Sequence, residues 1–413
     1  MDCRVKPGND EVLMALLSVA EALARVTHGL EPLDSERVPL EQARGRVLAE
    51  DIAAGLTQPP FDASAMDGYA LRADDVVEVP TTLRLIGEAL AGRGFAGVVG
   101  QGEAVRIFTG APVPEGADTI VIQENTDVGP GVVTVKEAAP RCHIRPRGQD
   151  FAAGEVLLRT GSSLGPRELM LAAAMNHADL RVRRMPKVAI LATGDEVVPP
   201  GTEPEPDQVI SSVPTGLSAL VEAQGGEPMS LGIAKDTPES LITLARTGSA
   251  ADILVTIGGA SVGERDLVSA ALRSEGMELD FWRIAMRPGK PLLYGRMGHQ
   301  RVLGLPGNPV SALICGLVFL VPMLHRLLGL REDAPERVEA VLDQDLEANG
   351  PREHYMRAIS TSGAGGERLV APLSSQDSAL MADFARANCL IVRPPDAPAL
   401  TRGARVTIMP LDD

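Results

Sequence analysis

Hydrophobic and polar positions follow three rhythms along this chain. Residues 11–28, EVLMALLSVAEALARVTH, carry apolar side chains at helical spacing, and a second helix is expected over 41–52, after Pro39. TQPPFDA, 57–63, breaks that pattern. From there to about 150 the chain reads as short β-like runs between Gly and Pro turns: LRLIGEAL, AVRIFTG, DTIVIQE and GVVTVKEA. That is the pattern of a small all-β domain. Residues 151–184 return to helix around RELMLAAAMNHADL; if they rejoin the first helical segment, the β domain is an insertion.

From 185 the third rhythm begins. KVAILATGDE reads as a buried strand, 214–224 as a helix, PMSLGIAKD as a second strand, and Thr237-Pro238-Glu239 as a capped helix start. DILVTIGG is the next strand and 266–275 the next helix; FWRIAMRPGKP and QRVLGLPG follow as strands. Asn308-Pro309 opens a long apolar helix. Such alternation predicts a parallel sheet covered on both faces. After about 331 the chain is β again, ending in GARVTIMP.

The 413 residues exceed one ordinary core, which predicts about two to four domains. Aromatic residues are only 3%, so Leu, Val, Ile, Ala and Met must build the cores. Lys+Arg 39 against Asp+Glu 55 leaves a net charge of −16, which argues against nucleic acid or an anionic membrane as partner. Cys3, Cys142, Cys315 and Cys389 have no metal-ligand or CxxC spacing, the pattern of reduced thiols in a cytoplasmic protein. MDCRVKPGND lacks a signal peptide's apolar segment. The longest apolar stretch, 310–324, contains Pro322 and is too short to span a bilayer, so a buried helix is expected.

In an open α/β sheet, ligands bind at the carboxyl ends of the strands. There this chain places Asp195 and Glu196, then Asp236, then the loop GGASVGERD with Gly258, Gly259, Ser261, Gly263, Glu264 and Asp266. The glycines suit a backbone cradle for an anion, yet no Lys-Ser or Lys-Thr follows as in a Walker loop. Acids from three strand ends converging on Mg²⁺ would reconcile anion and carboxylates. Arg287 and Lys290 supply positive charge nearby in sequence. A strand-end Asp is equally a helix cap, and GG-x-S-x-G equally a structural turn; both readings stay open on these residues. The six His residues are scattered without metal or triad spacing.

SAMDGYA (64–70), TGAPVPEGAD (109–118), RGQDFAAGE (147–155), LATGDEV (191–197), GGASVGERD (258–266), RPGKP (287–291) and LPGNPVSAL (305–313) occur in this order. Together they resemble the molybdopterin molybdenumtransferase family, which includes MoeA and the gephyrin E domain. QDSALMADFARANCLIV, 376–392, is similar to the family's C-terminal signature. The resemblance covers nearly the whole chain. It implies a multidomain α/β and β fold: an extended helical dimerisation domain (1–60 with 151–184), an inserted β domain (61–150), a parallel α/β three-layer domain like the molybdopterin adenylyltransferases (185–330), and a C-terminal β-barrel (331–413). It also implies an elongated homodimer in the cytoplasm, with each cleft shared between the α/β domain of one subunit and the β domain of the other.

The implied reaction inserts molybdate into adenylylated molybdopterin with Mg²⁺-dependent release of AMP. By the same resemblance, Asp67, Thr109, Glu196, Asp236 and Asp266 are catalytic residues, and Glu196, Asp236 and Asp266 are metal ligands. Asp150, Gly258, Gly259, Ser261, Gly263, Arg287, Lys290, Pro306 and Pro309 are substrate-binding residues. Partners extend to the adenylyltransferase of the same pathway and to recipient molybdoenzymes. Two departures stand out. Arg287 replaces the lysine common before Pro-Gly-Lys, presenting a planar fork instead of a point charge. SSVPTG, 211–216, replaces a Ser/Thr-Asn pair, so Val213 lacks the amide and Pro214 the backbone donor. A molybdopterin adenylyltransferase is the alternative enzyme, but it would not require the β insert or the barrel. A gephyrin-like scaffold is the non-enzymatic alternative, disfavoured by the retained acids and by the lack of a fused adenylyltransferase domain.

Overall fold

The computed structural model describes residues 16–138, 141–259, 267–330, 336–363 and 365–411. It divides into two compact units, residues 37–182 and residues 1–36 with 183–413.

In the 37–182 unit, six strands run in the order Thr119–Ile122, Gly68–Leu71, Glu103–Ile107, Thr81–Ala89, Val132–Val135, Thr126–Gly129. Alternation assigns each strand's residues to two faces. Tyr69, Leu71, Ala104 and Val121 bury one, and Ala70, Val105, Ile107 and Ile120 the other. A separate core gathers Leu48, Phe151, Leu164, Met175 and Val182 around the helix Pro166–Ala174.

The helix expected over 41–52 does not form. Leu40–Gln42 makes one 3₁₀ turn, and Gly45 takes a left-handed φ of +74°. Val47 and Leu48 then bridge to Ser163 and Val182 in extended conformation. The Gly45 and Leu48 N–H groups donate to Leu164 O (2.9 Å) and Ser162 O (3.0 Å), so long-range partners replace helical ones. Among the described residues the first helix starts later than its apolar pattern, of which residues 11–15 lie outside the described residues. It runs Val19–Thr27, begun by a capping box in which Ser18 and Glu21 exchange hydrogen bonds. Its buried face, Val19, Ala22 and Val26, joins the core of the unit containing 183–413.

That unit is built on a six-stranded sheet in the order Glu227–Ala234, Lys187–Thr193, Ile253–Ile257, Gln300–Leu305, Pro291–Met297, Glu278–Arg283. The first four strands are parallel; the last two join antiparallel. The sheet is therefore mixed, because Pro291–Met297 and Gln300–Leu305 are joined by a tight hairpin through Gly298, φ +60°. Val188 and Ile190 pack into one core, Ala189 and Leu191 into the other, so both sheet faces are covered. Pro309–Leu328 is a 20-residue helix long and apolar enough to cross a membrane, and 78% of its apolar window is buried inside the protein.

A five-strand barrel follows. Glu353–Ser362 pairs with Arg368–Pro372, then Val338–Leu342, Arg405–Pro410 and Cys389–Arg393, and the last pairs back to Glu353–Ser362.

Candidate active site

The carboxyl ends of the parallel strands border a cavity of about 1110 Å³. Thr193, Gly194 and Glu196 reach it from the first strand, Asp236 from the second, and Ile257, Gly258 and Gly259 from the third. Pro306, Gly307, Asn308 and Pro309 complete the rim after the Gln300–Leu305 strand. Val197, Val209, Ile210 and Val268 add apolar wall, so the site combines greasy surface with two exposed carboxylates, Glu196 and Asp236.

Asp236 is not a helix cap. Thr237 holds that position for Pro238–Thr247, its hydroxyl accepting from the Ser240 N–H at 3.3 Å. The Asp236 N–H donates to Asp195 Oδ1 at 3.2 Å, tying two strand ends together. Neither Glu196 nor Asp236 forms an ion pair among the described residues. Their oxygens suit a hard cation such as Mg²⁺. No trio of His, Cys, Asp or Glu able to hold a metal occurs among the described residues, and Asp266, the third expected ligand, lies outside them with Ser261, Gly263 and Glu264.

Gly258 and Gly259 have left-handed φ values of +87° and +67°. A Cβ at Gly258 would lie 3.0 Å from Thr193 Oγ1, and one at Gly259 would lie 2.3 Å from Val268 Cγ2. Close packing of the strand end thus already demands both glycines.

Two helix starts open on the cavity, at Val213 and Pro309. Ser212 and Asn308 occupy the cap positions, but neither side chain caps its helix. Instead the Ser212 hydroxyl donates to Met381 Sδ at 3.3 Å, and Asn308 Nδ2 donates to Ser378 Oγ at 3.0 Å. The helix Val213–Ala223 therefore brings an uncapped start, with the Val213 N–H and no donor at Pro214, and the positive end of its dipole to the cavity, a setting suited to an anion.

Met381 also borders the cavity, so the barrel end of the chain contributes to it. Buried Arg357 holds that segment: Nη1 donates to Leu380 O (3.1 Å) and Nη2 to Ser375 O (3.0 Å). The Gln376 side chain exchanges hydrogen bonds with the Arg357 backbone (2.9 and 3.0 Å). Motif reading singled out neither Arg357 nor Met381 as a site residue. The sequence signal was the segment QDSALMADF, recognisable as a block but silent about what it touches.

The basic residues lie elsewhere. Lys290 borders a separate hollow of about 550 Å³ with Leu16, Ala285, Pro351 and Arg352. Arg287 is exposed, on the short strand Met286–Arg287 that pairs with the barrel strand at His354.

In the 37–182 unit, Asp67 and Thr109 meet. Asp67 Oδ1 accepts from both the Thr109 N–H and its hydroxyl, each at 2.8 Å. Those bonds hold the exposed Asp67 carboxyl below its ordinary value, against an opposing effect of burial, and the Arg106 charge adds a lesser push in the same direction as the bonds. Asp150 borders a hollow of about 510 Å³ with Gln58, Phe61, Gly110 and Arg145.

The MoeA N-terminal region (domain I and II) matches residues 17–176, a probable molybdopterin binding domain residues 189–326, and the MoeA C-terminal region (domain IV) residues 339–411. A molybdopterin molybdenumtransferase of Haemophilus influenzae is 34% identical over 402 residues, covering 96% of this chain and 99% of that protein. Molybdopterin molybdenumtransferase 2 of Mycobacterium tuberculosis is 36% identical over 385 residues, covering 91% and 94%. The crystal structure of the molybdopterin biosynthesis moeA protein from Pyrococcus horikoshii matches 96% of this chain and 100% of its own at a TM-score of 0.82 and 27% identity. Sequence, domain order and fold agree along nearly the whole length, and the chain belongs to the molybdopterin molybdenumtransferase family, enzymes of molybdenum cofactor biosynthesis.

Proposed function

We propose that this chain inserts molybdate into adenylylated molybdopterin and releases AMP in a Mg²⁺-dependent reaction. The observation that carries the reading is the cavity in which unpaired Glu196 and Asp236 face apolar wall and an uncapped helix start. An anionic phosphoanhydride and molybdate both need charge compensation beside two acids. Glu196 and Asp236 would hold Mg²⁺, with Asp266 the expected third acid, and the metal when bound supplies Lewis-acid polarisation of the phosphoanhydride oxygens. The protein's own groups orient the substrate: the dipole and the Val213 N–H at the start of the Val213–Ala223 helix attract its anionic part, and Val209, Ile210 and Met381 cover its flat, less polar part. Gly258 and Gly259 border the space where the substrate approaches the strand end.

The same reading assigns a cytoplasmic homodimer, with Asp67, Thr109 and Asp150 completing the cleft of a second copy. It has Pro306 and Pro309 shaping the rim against the substrate and Ser261 and Gly263 forming part of the anion loop, while Arg287 and Lys290, which lie outside this cavity, are substrate-binding residues by the family resemblance alone. The pathway's adenylyltransferase would supply the adenylylated pterin, and molybdoenzymes would receive the product.

The test is AMP release from adenylylated molybdopterin, with and without molybdate, by wild type, Glu196→Gln and Asp236→Asn. Each variant should keep its melting temperature and lose at least about a hundredfold in rate at limiting Mg²⁺, partly recovered by excess Mg²⁺. Wild-type rates with an unchanged Mg²⁺ dependence would refute the assignment.

A further inference from the structure

The 37–182 unit holds an arginine whose placement packing does not explain. Tyr69 and Arg106 face each other in register on the antiparallel strands Gly68–Leu71 and Glu103–Ile107. Phe108 lies two residues further along, on the same side as Arg106. The guanidinium carbon sits 4.9 Å from the Tyr69 ring centre and 4.9 Å from the Phe108 ring centre. Arg106 is half-buried and forms no ion pair among the described residues. Its neighbours on this face, Ala104, Val121 and Leu71, belong to a buried apolar cluster. A side chain needed there only for packing would be apolar.

Its polar contacts all lead to Asp67. Nη2 donates to Gln123 Oε1 at 2.6 Å, and the Gln123 N–H donates to the Asp67 carbonyl at 3.2 Å. Nη1 donates to the Gly68 carbonyl at 3.4 Å. Asp67 itself is held at the side chain by Thr109. The cation thus braces the turn at Asp67-Gly68 from the sheet side while Thr109 braces it from the loop side.

We propose that Arg106 is a positioning residue for the Asp67–Thr109 pair: clamped between two rings, it fixes the turn that carries Asp67 and places a positive charge beside its carboxylate. The groups acting on Asp67 are Thr109, which bonds its carboxylate, Gln123, whose N–H bonds its carbonyl, and Arg106, whose charge reaches its carboxylate. Of these, Arg106 alone is charged at neutral pH, and its field favours the ionised acid. Cation–π contact with both rings limits the side chain's freedom and keeps the charge in place. This proposal rests on the reading that Asp67 takes part in the reaction.

The experiment compares Arg106→Met and Arg106→Lys in the full chain by two readouts. The first is the pH profile of AMP release. The second is NMR titration of the Asp67 carboxyl carbon in selectively labelled protein, which needs no turnover. Arg106→Met should lower kcat about tenfold and move the acid limb and the Asp67 titration to higher pH. Arg106→Lys should restore the titration more fully than kcat, because it keeps the charge but loses the planar fork. An Asp67 titration unchanged in Arg106→Met, or equal behaviour of the Met and Lys variants, overturns the proposal. If Arg106→Met does not fold, Arg106→Lys decides: wild-type kcat and titration there overturn the positioning role. Asp67→Asn separates the two ideas. Full activity in that variant removes Asp67 from the reaction, while the Asp67 titration in the arginine variants still judges the clamp.

Discussion

Replacing Gly259 with Ala tests how tightly the third strand's end is built into the cavity floor. The added Cβ would sit 2.3 Å from Val268 Cγ2 and 3.4 Å from Thr193 Oγ1, on a backbone at φ +67°. Val268 is 3% exposed and shares a core with Leu254, Ala271 and Leu272, so it has little room to turn away. The left-handed backbone costs a non-glycine residue about 1–2 kcal/mol. Forcing Val268 aside costs about 1–3 kcal/mol by overpacking. Gly259→Ala should therefore destabilise this unit by about 2–5 kcal/mol. Val268→Ala alone should cost about 1–3 kcal/mol for its lost methyl groups. In the double variant the colliding atom is gone, so its loss should fall short of the sum by about 1–3 kcal/mol. Urea unfolding followed by tryptophan fluorescence isolates the effect. Trp282, the single tryptophan, lies on the Glu278–Arg283 strand of this unit and not in the 37–182 unit. An unchanged midpoint for Gly259→Ala, or strict additivity in the double variant, would refute the collision.

Two further outcomes follow from charge and assembly. His354 is buried and faces Arg287, Arg352, Arg393 and Arg357; burial first, then those charges, push its pKa down from 6.5 to about 4. The unfolded chain therefore binds a proton that the folded chain refuses, and stability should fall as pH drops from about 6.5 toward 4, by up to about 1.4 kcal/mol per pH unit. His354→Gln should flatten that slope in urea unfolding, and an unchanged slope would contradict the assignment. The proposed cross-subunit cleft predicts that Asp67→Ala and Glu196→Ala chains, each nearly inactive, recover about a quarter of wild-type AMP release once mixed and fully exchanged, because about half the dimers carry one intact cleft of two. Mixed dimers no more active than either parent would place the cleft within one chain.

Local pattern carried far where each residue's partners lie nearby in sequence. Thr237-Pro238-Glu239 was legible as a helix start because a cap needs only the next turn, and the structure places the Thr237 hydroxyl on Ser240. The same logic, applied to Ser18 and Glu21, would have found the true start of the first helix inside its longer apolar run. It fails for 41–52. There apolar spacing resembles a helix, but Gly45, Val47 and Leu48 find their partners more than a hundred residues away. Periodicity measures which side chains want burial, not which backbone will supply the hydrogen bonds.

The amino-acid order alone carried the family, through motifs whose spacing survives in one dimension, and with it the α/β domain, the inserted β sheet and the C-terminal barrel. It also brought Glu196 and Asp236 to notice as acids at strand ends, since strands so apolar have to be buried and their polar ends have to emerge. Three-dimensional packing settled what no spacing encodes. It put Met381 beside the cavity and Ser378 against Asn308 on its rim, more than 60 residues back along the chain, by way of a buried arginine that grips two carbonyls. It turned Lys290 toward a different hollow although Pro291, the next residue, borders the cavity. It set Arg106 between two rings from different positions on the sheet. The physical reason is common to all three: such contacts depend on strand register and domain packing, which sum over many weak long-range interactions, whereas motifs and caps depend on a few residues in a row.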